Sequence, residues 1–273
     1  MSWKWAALMP HPPILVPEVG GGREREAAAT TEGVTALGGA IRGMGTTDAI
    51  LLLSPHQPYA RDALAVNRAR VLRGSFAPFG ASQVSFEIAS ATDEIDALST
   101  FLAKEKISVR FGESGDLTRD QGSTVPLYFL RRALGRLPGI VFASPIGLDP
   151  EHAFDLGRTL ASFDDGRSWG LLASGDLSHR LKPGAPAGYS PAGRIFDDAV
   201  VDALRACDAR ALLDMPTQTR EDAGECGLRS VLAMLGLVSA IDGGKNKKNA
   251  IDVLSYEGPF GVGYCNALWR GKE

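Results

Sequence analysis

The run Trp169-Gly-Leu-Leu-Ala-Ser-Gly-Asp-Leu-Ser-His179 decides the fold. It starts as an apolar segment of strand length and turns polar at Ser174-Gly175-Asp176. A short apolar run without alternation, closed by a turn signal, reads as a β-strand buried on both faces, as in the interior of an open α/β sheet. Two other stretches share the design, Trp5-Ala-Ala-Leu-Met-Pro-His11 and Ala49-Ile-Leu-Leu-Leu-Ser-Pro-His56. In such sheets the ligand crevice lies beyond the carboxyl ends of the strands. Three of the chain's 4 histidines are therefore delivered to one edge, as for a metal site or an acid–base site. His152, in Asp149-Pro-Glu-His, sits at the start of a surface helix and is expected to be solvated.

Working outward, strand-like runs fall at Trp5–Met9, Ala49–Leu53, Leu64–Val66, Gly139–Ala143, Trp169–Ala173, Val253–Ser255 and Val262–Leu268. Between them lie helical stripes over Arg23–Met44, Thr92–Lys106, Ser123–Gly135, Pro191–Cys207 and Ala223–Ala240. Their apolar residues recur at three- and four-residue spacings that pack on a sheet. Strands alternating with such helices imply a largely parallel or mixed sheet with helices on both faces. No repeat and no linker rich in Pro, Gly or Ser divides the chain, so residues 1–273 read as one domain. The segment 242–249, with its basic cluster Lys245-Asn-Lys-Lys248, reads as a flexible solvated loop.

At 44% hydrophobic and 22% charged residues, the chain can bury a sizeable core. A net charge of −3 gives no electrostatic reason to expect nucleic acid or an anionic membrane as partner. Cys207, Cys226 and Cys265 are widely spaced without a C-x-x-C pair, which points to a reducing, cytoplasmic setting and away from a zinc ribbon. No apolar run approaches the roughly 20 residues of a membrane span, and Trp5–Met9 is too short for a secretory signal.

The chemistry gathers in the strand-end loops. His11 lies in Pro10-His-Pro-Pro and His56 in Ser54-Pro-His-Gln-Pro. Prolines fix φ and stiffen both loops. Each histidine could merely cap a turn; the repeated pattern favours a shared, metal-ligating role. Asp176 either caps a following helix or orients an imidazole. His179 has the unperturbed pKa suited to proton transfer near neutrality. Two histidines need a third donor. Glu225 and Cys226, in Asp222-Ala-Gly-Glu-Cys-Gly-Leu-Arg, read as opening an apolar helix, and Glu257 falls between two strands. Two histidines with a carboxylate form the facial triad of non-haem Fe(II) oxygenases. Taken singly, Glu225 is a favourable charge in a first helical turn and Glu257 a turn residue. Tyr256, Phe260 and Tyr264 are either pocket lining or core. Glycine clusters match neither a P-loop nor a Rossmann fingerprint.

Taken together, Pro10-His-Pro-Pro-Ile-Leu-Val-Pro-Glu-Val-Gly, Ser54-Pro-His, Val125-Pro-Leu-Tyr-Phe-Leu, Ala173-Ser-Gly-Asp-Leu-Ser-His, Ala223-Gly-Glu-Cys-Gly-Leu-Arg-Ser and Ser255-Tyr-Glu-Gly-Pro-Phe-Gly-Val-Gly-Tyr resemble one family. It is the superfamily of class III extradiol ring-cleavage dioxygenase catalytic subunits. Within it the chain is most similar to the dioxygenase-like domain of the AmmeMemoRadiSam system. The resemblance runs from about residue 5 to residue 269, nearly the whole chain.

That resemblance implies a three-layer α/β sandwich holding Fe(II), or another divalent ion such as Zn or Mn. His11, His56 and Glu225 match the ligands, with Cys226 the rival third ligand because the related Memo branch places a cysteine there. His179 matches the acid–base histidine and Asp176 a residue of the same site. Where relatives often read Asp-His-Gly, this chain reads Asp120-Gln121-Gly122, so a pocket imidazole becomes an amide that cannot shuttle protons. The implied substrates are O2 and a catechol or 2-aminophenol; the implied partners are a second copy or AmmeMemoRadiSam proteins. Two other readings stay open: a Memo-like metal-binding protein without ring cleavage in a radical-SAM-linked role, and a metal-dependent hydrolase.

Overall fold

The computed structural model describes residues 2–242 and 250–271. Its strands are β1 (Trp3–Met9), β2 (Ala49–Leu53), β3 (Leu64–Asn67), β4 (Val71–Phe76), β5 (Ala81–Ala89), β6 (Val109–Gly112), β7 (Gly139–Ser144), β8 (Trp169–Ser174), β9 (Ile251–Glu257) and β10 (Tyr264–Arg270). Its helices are α1 (Pro17–Gly20), α2 (Ala28–Gly43), α3 (Thr92–Lys104), α4 (Gln121–Leu134), α5 (Pro150–Leu160), α6 (Pro191–Ala206), α7 (Arg210–Leu213), α8 (Thr217–Ala223) and α9 (Leu228–Ile241). Of the loop expected over 242–249, residues 243–249 lie outside the described residues.

Eight strands form one sheet in the order β6-β3-β7-β2-β8-β1-β10-β9. The inner four, β7-β2-β8-β1, are mutually parallel, while β10 runs antiparallel to β1, and β3 to β7. This is the mixed, mostly parallel sheet expected. Successive residues of β2 serve opposite faces: Leu51 and Leu53 join one core cluster, Ile50 and Leu52 the other. Burial on both faces explains why these strands carry no alternation in sequence. The first cluster takes Leu98 of α3, Leu156 of α5, Phe196 of α6 and Leu232 of α9. The second takes Val34 and Leu37 of α2 with Leu127 and Leu130 of α4. Helices thus sandwich the sheet in three layers. Truncating a fully buried leucine such as Leu232 to alanine in this packing costs about 2–5 kcal/mol.

Three local departures from the sequence pattern have physical causes. The stripe over Arg23–Met44 opens as a 3₁₀ turn, Arg23–Ala27, before α2 begins. Ala27 offers no capping side chain, and Glu257 supplies the acceptor instead, taking hydrogen bonds from Thr30 N and Oγ1, both at 2.6 Å. The helix expected over Ala223–Ala240 begins only at Leu228, because Ala223 ends the preceding α8 and Gly224, at φ +61°, closes it. Glu225, Cys226 and Gly227 form the turn into α9 rather than its first turn. Strand β6 and the β4–β5 hairpin carry no apolar run: β5 reads Ala81-Ser-Gln-Val-Ser-Phe-Glu-Ile-Ala89, half exposed, and pairs only with β4. Helix α5 follows Asp149, whose carboxylate caps His152 N at 2.8 Å; His152 is exposed, as expected.

Candidate metal centre

The carboxyl ends of β1, β2 and β8, side by side in the sheet, carry His11, His56 and the loop Gly175–His179. Serines mark the same level: Ser54 follows β2, Ser144 ends β7 and Ser174 ends β8, all buried. Buried hydroxyls of this kind persist because they are hydrogen-bonded. Ser174 Oγ lies 2.9 Å from His11 Nδ1. Ser54 Oγ accepts His56 N–H at 3.2 Å and donates to Asp120 Oδ1 at 2.6 Å. Asp120 caps α4 through Ser123 and is buried, which raises its carboxyl to about 6.

His11 is buried and His56 lies at the solvent-facing side. Their Nε2 atoms are 3.0 Å apart, and Cys226 Sγ lies 3.7 Å from His11 Nε2. One donor atom from each of the three residues falls within 4.8 Å of the others. Bonds of about 2.0–2.1 Å to nitrogen and 2.3 Å to sulfur at tetrahedral angles give donor spacings of about 3.3 and 3.6 Å. The two spacings to His11 Nε2, 3.0 and 3.7 Å, therefore come close to those of donors sharing one small cation. Burial, then the neighbouring imidazoles, depresses the His11 pKa well below its usual value; burial and His179 depress that of His56. Both rings are held neutral, the form that ligates. Burial, then Asp176 and Glu225, pushes the Cys226 thiol well up. A bound dication would stabilise the thiolate against that shift.

The residues proposed from sequence fall into two groups. His11, His56, Cys226, Asp176 and His179 cluster. Glu225, the first-named third ligand, turns its carboxylate away: Oε2 accepts Leu228 N–H at 2.7 Å and caps α9. Its carboxylate does not join the two imidazoles, because the Gly224 turn places the thiol of the next residue there instead. Asp176 precedes no helix. Its Oδ1 accepts His11 N–H at 2.8 Å and Oδ2 lies 3.9 Å from His11 Nε2, so it grips the backbone of His11. Burial raises its carboxyl to about 7. His179 Nδ1 lies 2.8 Å from Gly224 O. A carbonyl only accepts, so Nδ1 carries the proton and Nε2 keeps its lone pair. Burial lowers the pKa of His179. Gln121 opens α4; the next residue, Gly122, lies against Ser54 and the His56 ring.

Close approach at one glycine holds the Cys226 turn in place. Gly227 N donates to Asp176 O at 2.9 Å, and a Cβ on Gly227 would stand 2.7 Å from that oxygen. Sequence reasoning did not reach Ser174, Ser54, Asp120 or Asp197. Asp197, on α6, accepts Ser178 N–H at 2.8 Å and the Tyr256 hydroxyl at 2.8 Å, fixing the loop that carries His179. Tyr256 is thus a buttress of that loop, and Tyr264 is buried. The available signal was a lone serine closing an apolar run, as in Leu53-Ser54 and Ala173-Ser174.

Comparison with known proteins agrees with this architecture. The model of the family described as the catalytic LigB subunit of aromatic ring-opening dioxygenase matches residues 5–266. Protein CA_C1420 of Clostridium acetobutylicum is 34% identical over 97% of this chain and 57% of its own length. The chain thus spans little more than half of that curated relative. The crystal structure of the uncharacterized protein JW3007 from Escherichia coli K12 superposes with a TM-score of 0.61 at 16% identity, covering 97% of this chain and 99% of that one. At that identity the likeness is one of fold. Among the described residues, no helix is long and apolar enough to cross a membrane.

Proposed function

This chain belongs to the family of the catalytic LigB subunit of aromatic ring-opening dioxygenases, and we propose that it is a metal-dependent oxidoreductase acting with O2 on a small aromatic. The substrate class is a catechol or 2-aminophenol, whose adjacent heteroatoms suit an open coordination site. The observation that carries the reading is the convergence of His11 Nε2, His56 Nε2 and Cys226 Sγ beyond the sheet's carboxyl edge. These three residues are the proposed ligands, in place of a set completed by Glu225. A divalent ion there, Fe(II) in this reading, would act as Lewis acid and template for the aromatic.

The chain's own residues supply the rest. Ser174 holds the His11 ring and Asp176 its backbone, so one ligand is fixed from two sides. The Nδ1–H bond from His179 to Gly224 O leaves Nε2 ready to accept the proton of a substrate hydroxyl. Its depressed pKa keeps it in the base form at neutrality, and such a base contributes typically about 10²–10⁴-fold. Gln121 can hydrogen-bond substrate but moves no proton.

A second reading is favoured by two particulars, the thiol of Cys226 and the amide of Gln121. It is a Memo-like metal protein that binds its ion without cleaving rings and works in a radical-SAM-linked redox role. One experiment separates the two. The protein is loaded anaerobically with Fe(II), then given air and a panel of catechols and 2-aminophenols. Stoichiometric oxygen uptake with a ring-fission chromophore supports the first reading. Iron retention without oxygen uptake on the whole panel sets it aside in favour of the second.

A further inference from the structure

In the peripheral hairpin, hydrogen bonds fix which backbone groups of β5 face outward. On β4, Arg73 turns its backbone away from β5: its N–H donates to Gly115 O and its C=O accepts from Leu117 N, both at 2.7 Å. Arg73 stands opposite Glu87, so that pair exchanges no ladder bonds, and Glu87 turns its own N–H and C=O outward. By the alternation of an antiparallel ladder Ser85 and Ala89 do the same, while Phe86 and Ile88 address Gly74 and Leu72. The register shift of the hairpin falls before Ser85, so 85–89 is its regular part. Among the described residues, no backbone hydrogen bond takes up the outward groups of Ser85, Glu87 and Ala89.

Along this open edge runs a groove of about 960 Å³, walled on its far side by the second half of α4 and residues 135–138. Arg131, Arg132 and Arg136 stand on it, all exposed. None of the three has a carboxylate partner among the described residues. Arg131 and Arg132 lie in the last turn of α4, where cations suit the helix dipole. Arg136 lies beyond the helix and answers no such need. The groove's acidic groups are engaged already, Glu87 by Arg73 at 2.9 Å and Glu18 by the Tyr128 hydroxyl at 2.8 Å. Gly139, at the amino end of β7, also lines the groove, whereas the metal centre lies at the carboxyl ends of the parallel strands.

We propose that this groove takes an extended acidic segment of another protein, added to the hairpin as a third strand along Ser85–Ala89. The free N–H and C=O groups would bond its main chain, the established mode of strand addition at an exposed edge. Phe86 and Ile88 pack on the side of α4, with Leu134 and Leu137. Side chains of the added strand that share their face point toward α4, so every second residue of the partner is the acidic one. Those carboxylates meet the guanidinium groups of Arg131, Arg132 and Arg136, whose planar forks suit them. A single-stranded nucleic acid would use the arginines and leave the edge amides unpaired.

The test uses the full chain and a labelled peptide of alternating threonine and glutamate, with a threonine–lysine peptide of the same length as control. Fluorescence anisotropy reads affinity, and hydrogen exchange followed by NMR reads the edge. The acidic peptide should bind, more weakly as salt rises, and the basic one should not. The amides of Ser85, Glu87 and Ala89 should gain protection. Arg131→Glu with Arg136→Glu should weaken binding about 10-fold or more. Ala89→Pro, which removes an outward N–H and no ladder bond, should also weaken it while the hairpin persists. No binding up to about 1 mM overturns the proposal, as does equal binding of both peptides or indifference to either variant. Binding that leaves the three amides unprotected overturns it too. So does a single-stranded oligonucleotide that displaces the acidic peptide without protecting them, which would assign the groove to nucleic acid.

Discussion

Glu225 and Cys226, adjacent in the chain, face different tasks: the carboxylate caps α9 at Leu228 N, 2.7 Å away, while the thiol stands 3.7 Å from His11 Nε2. The divergence follows from the turn between α8 and α9. Gly224 in the left-handed region ends α8, and the three residues before α9 then alternate between helix and site. A carboxylate that satisfies a helix N-terminus is worth about 0.3–1 kcal/mol there, and it is not available to the imidazoles.

Metal stoichiometry follows from this division. His11→Ala, His56→Ala and Cys226→Ser should each abolish stoichiometric binding of Fe(II) or Zn, since two donors hold a first-row ion poorly against water. Glu225→Gln should retain it, because glutamine still offers an acceptor to Leu228 N. Ser174→Ala, removing the hydrogen bond that orients His11, should weaken affinity about 10–100-fold. Metal analysis of the purified variants reads all five. Loss in Glu225→Gln with retention in Cys226→Ser would return the third ligand to the carboxylate.

His179 is expected to act on protons and not on the metal. His179→Asn should keep the ion and lose about 10²–10⁴-fold of any turnover. Gln121→His should raise or create oxygen-dependent cleavage, since it puts an imidazole at the α4 N-terminus, where the next residue, Gly122, lies against the His56 ring. Oxygen uptake of wild type and both variants, each at matched iron content, checks the pair. Full turnover in His179→Asn would remove the base from its assigned role.

The central sheet was legible because its strands are buried on both faces and therefore spell continuous apolar runs, ending at histidines that the structure does bring together. The peripheral hairpin carries no such run: in β5 the apolar Val84, Phe86 and Ile88 alternate with exposed Ser85 and Glu87, the pattern of a strand buried on one face only. At the site, residue types were readable and directions were not. Glu225 and Cys226 both have ligand chemistry, and the choice between them rests on the φ of Gly224, which no periodicity encodes. Asp197 was invisible for a related reason. It lies inside an ordinary helical stripe, and its partners Ser178 and Tyr256 are 19 and 59 residues away.

Asp197 should leave a signature in the pH dependence of stability. Burial, opposed by its bonds to Ser178 and Tyr256, raises its carboxyl to about 7. A carboxyl that binds its proton more tightly when folded contributes stability that is complete below the unfolded value near 3.9. That contribution is lost as pH rises toward 7, on the order of 4 kcal/mol at most. Metal-free protein should therefore lose denaturant resistance between pH 5 and 8, and Asp197→Asn should lose less over the same interval. Equal slopes for the two proteins would show that Asp197 does not titrate there.

The last expectation concerns Gly227, whose backbone, at φ −88° and ψ −12°, is open to any residue. Only close approach demands glycine. A Cβ would meet Asp176 O at 2.7 Å and the Gly175 Cα at 3.0 Å. Gly227→Ala should push the turn off the β8 loop, costing about 1–3 kcal/mol as overpacking does, and carry Cys226 away from His11. The two effects should appear together, as a lower thermal midpoint and a weakened metal site. Alanine at an exposed, unconstrained glycine such as Gly39 should do neither. Destabilisation with metal affinity unchanged would mean that the thiol is not held by this contact, and that its position depends on α9 alone.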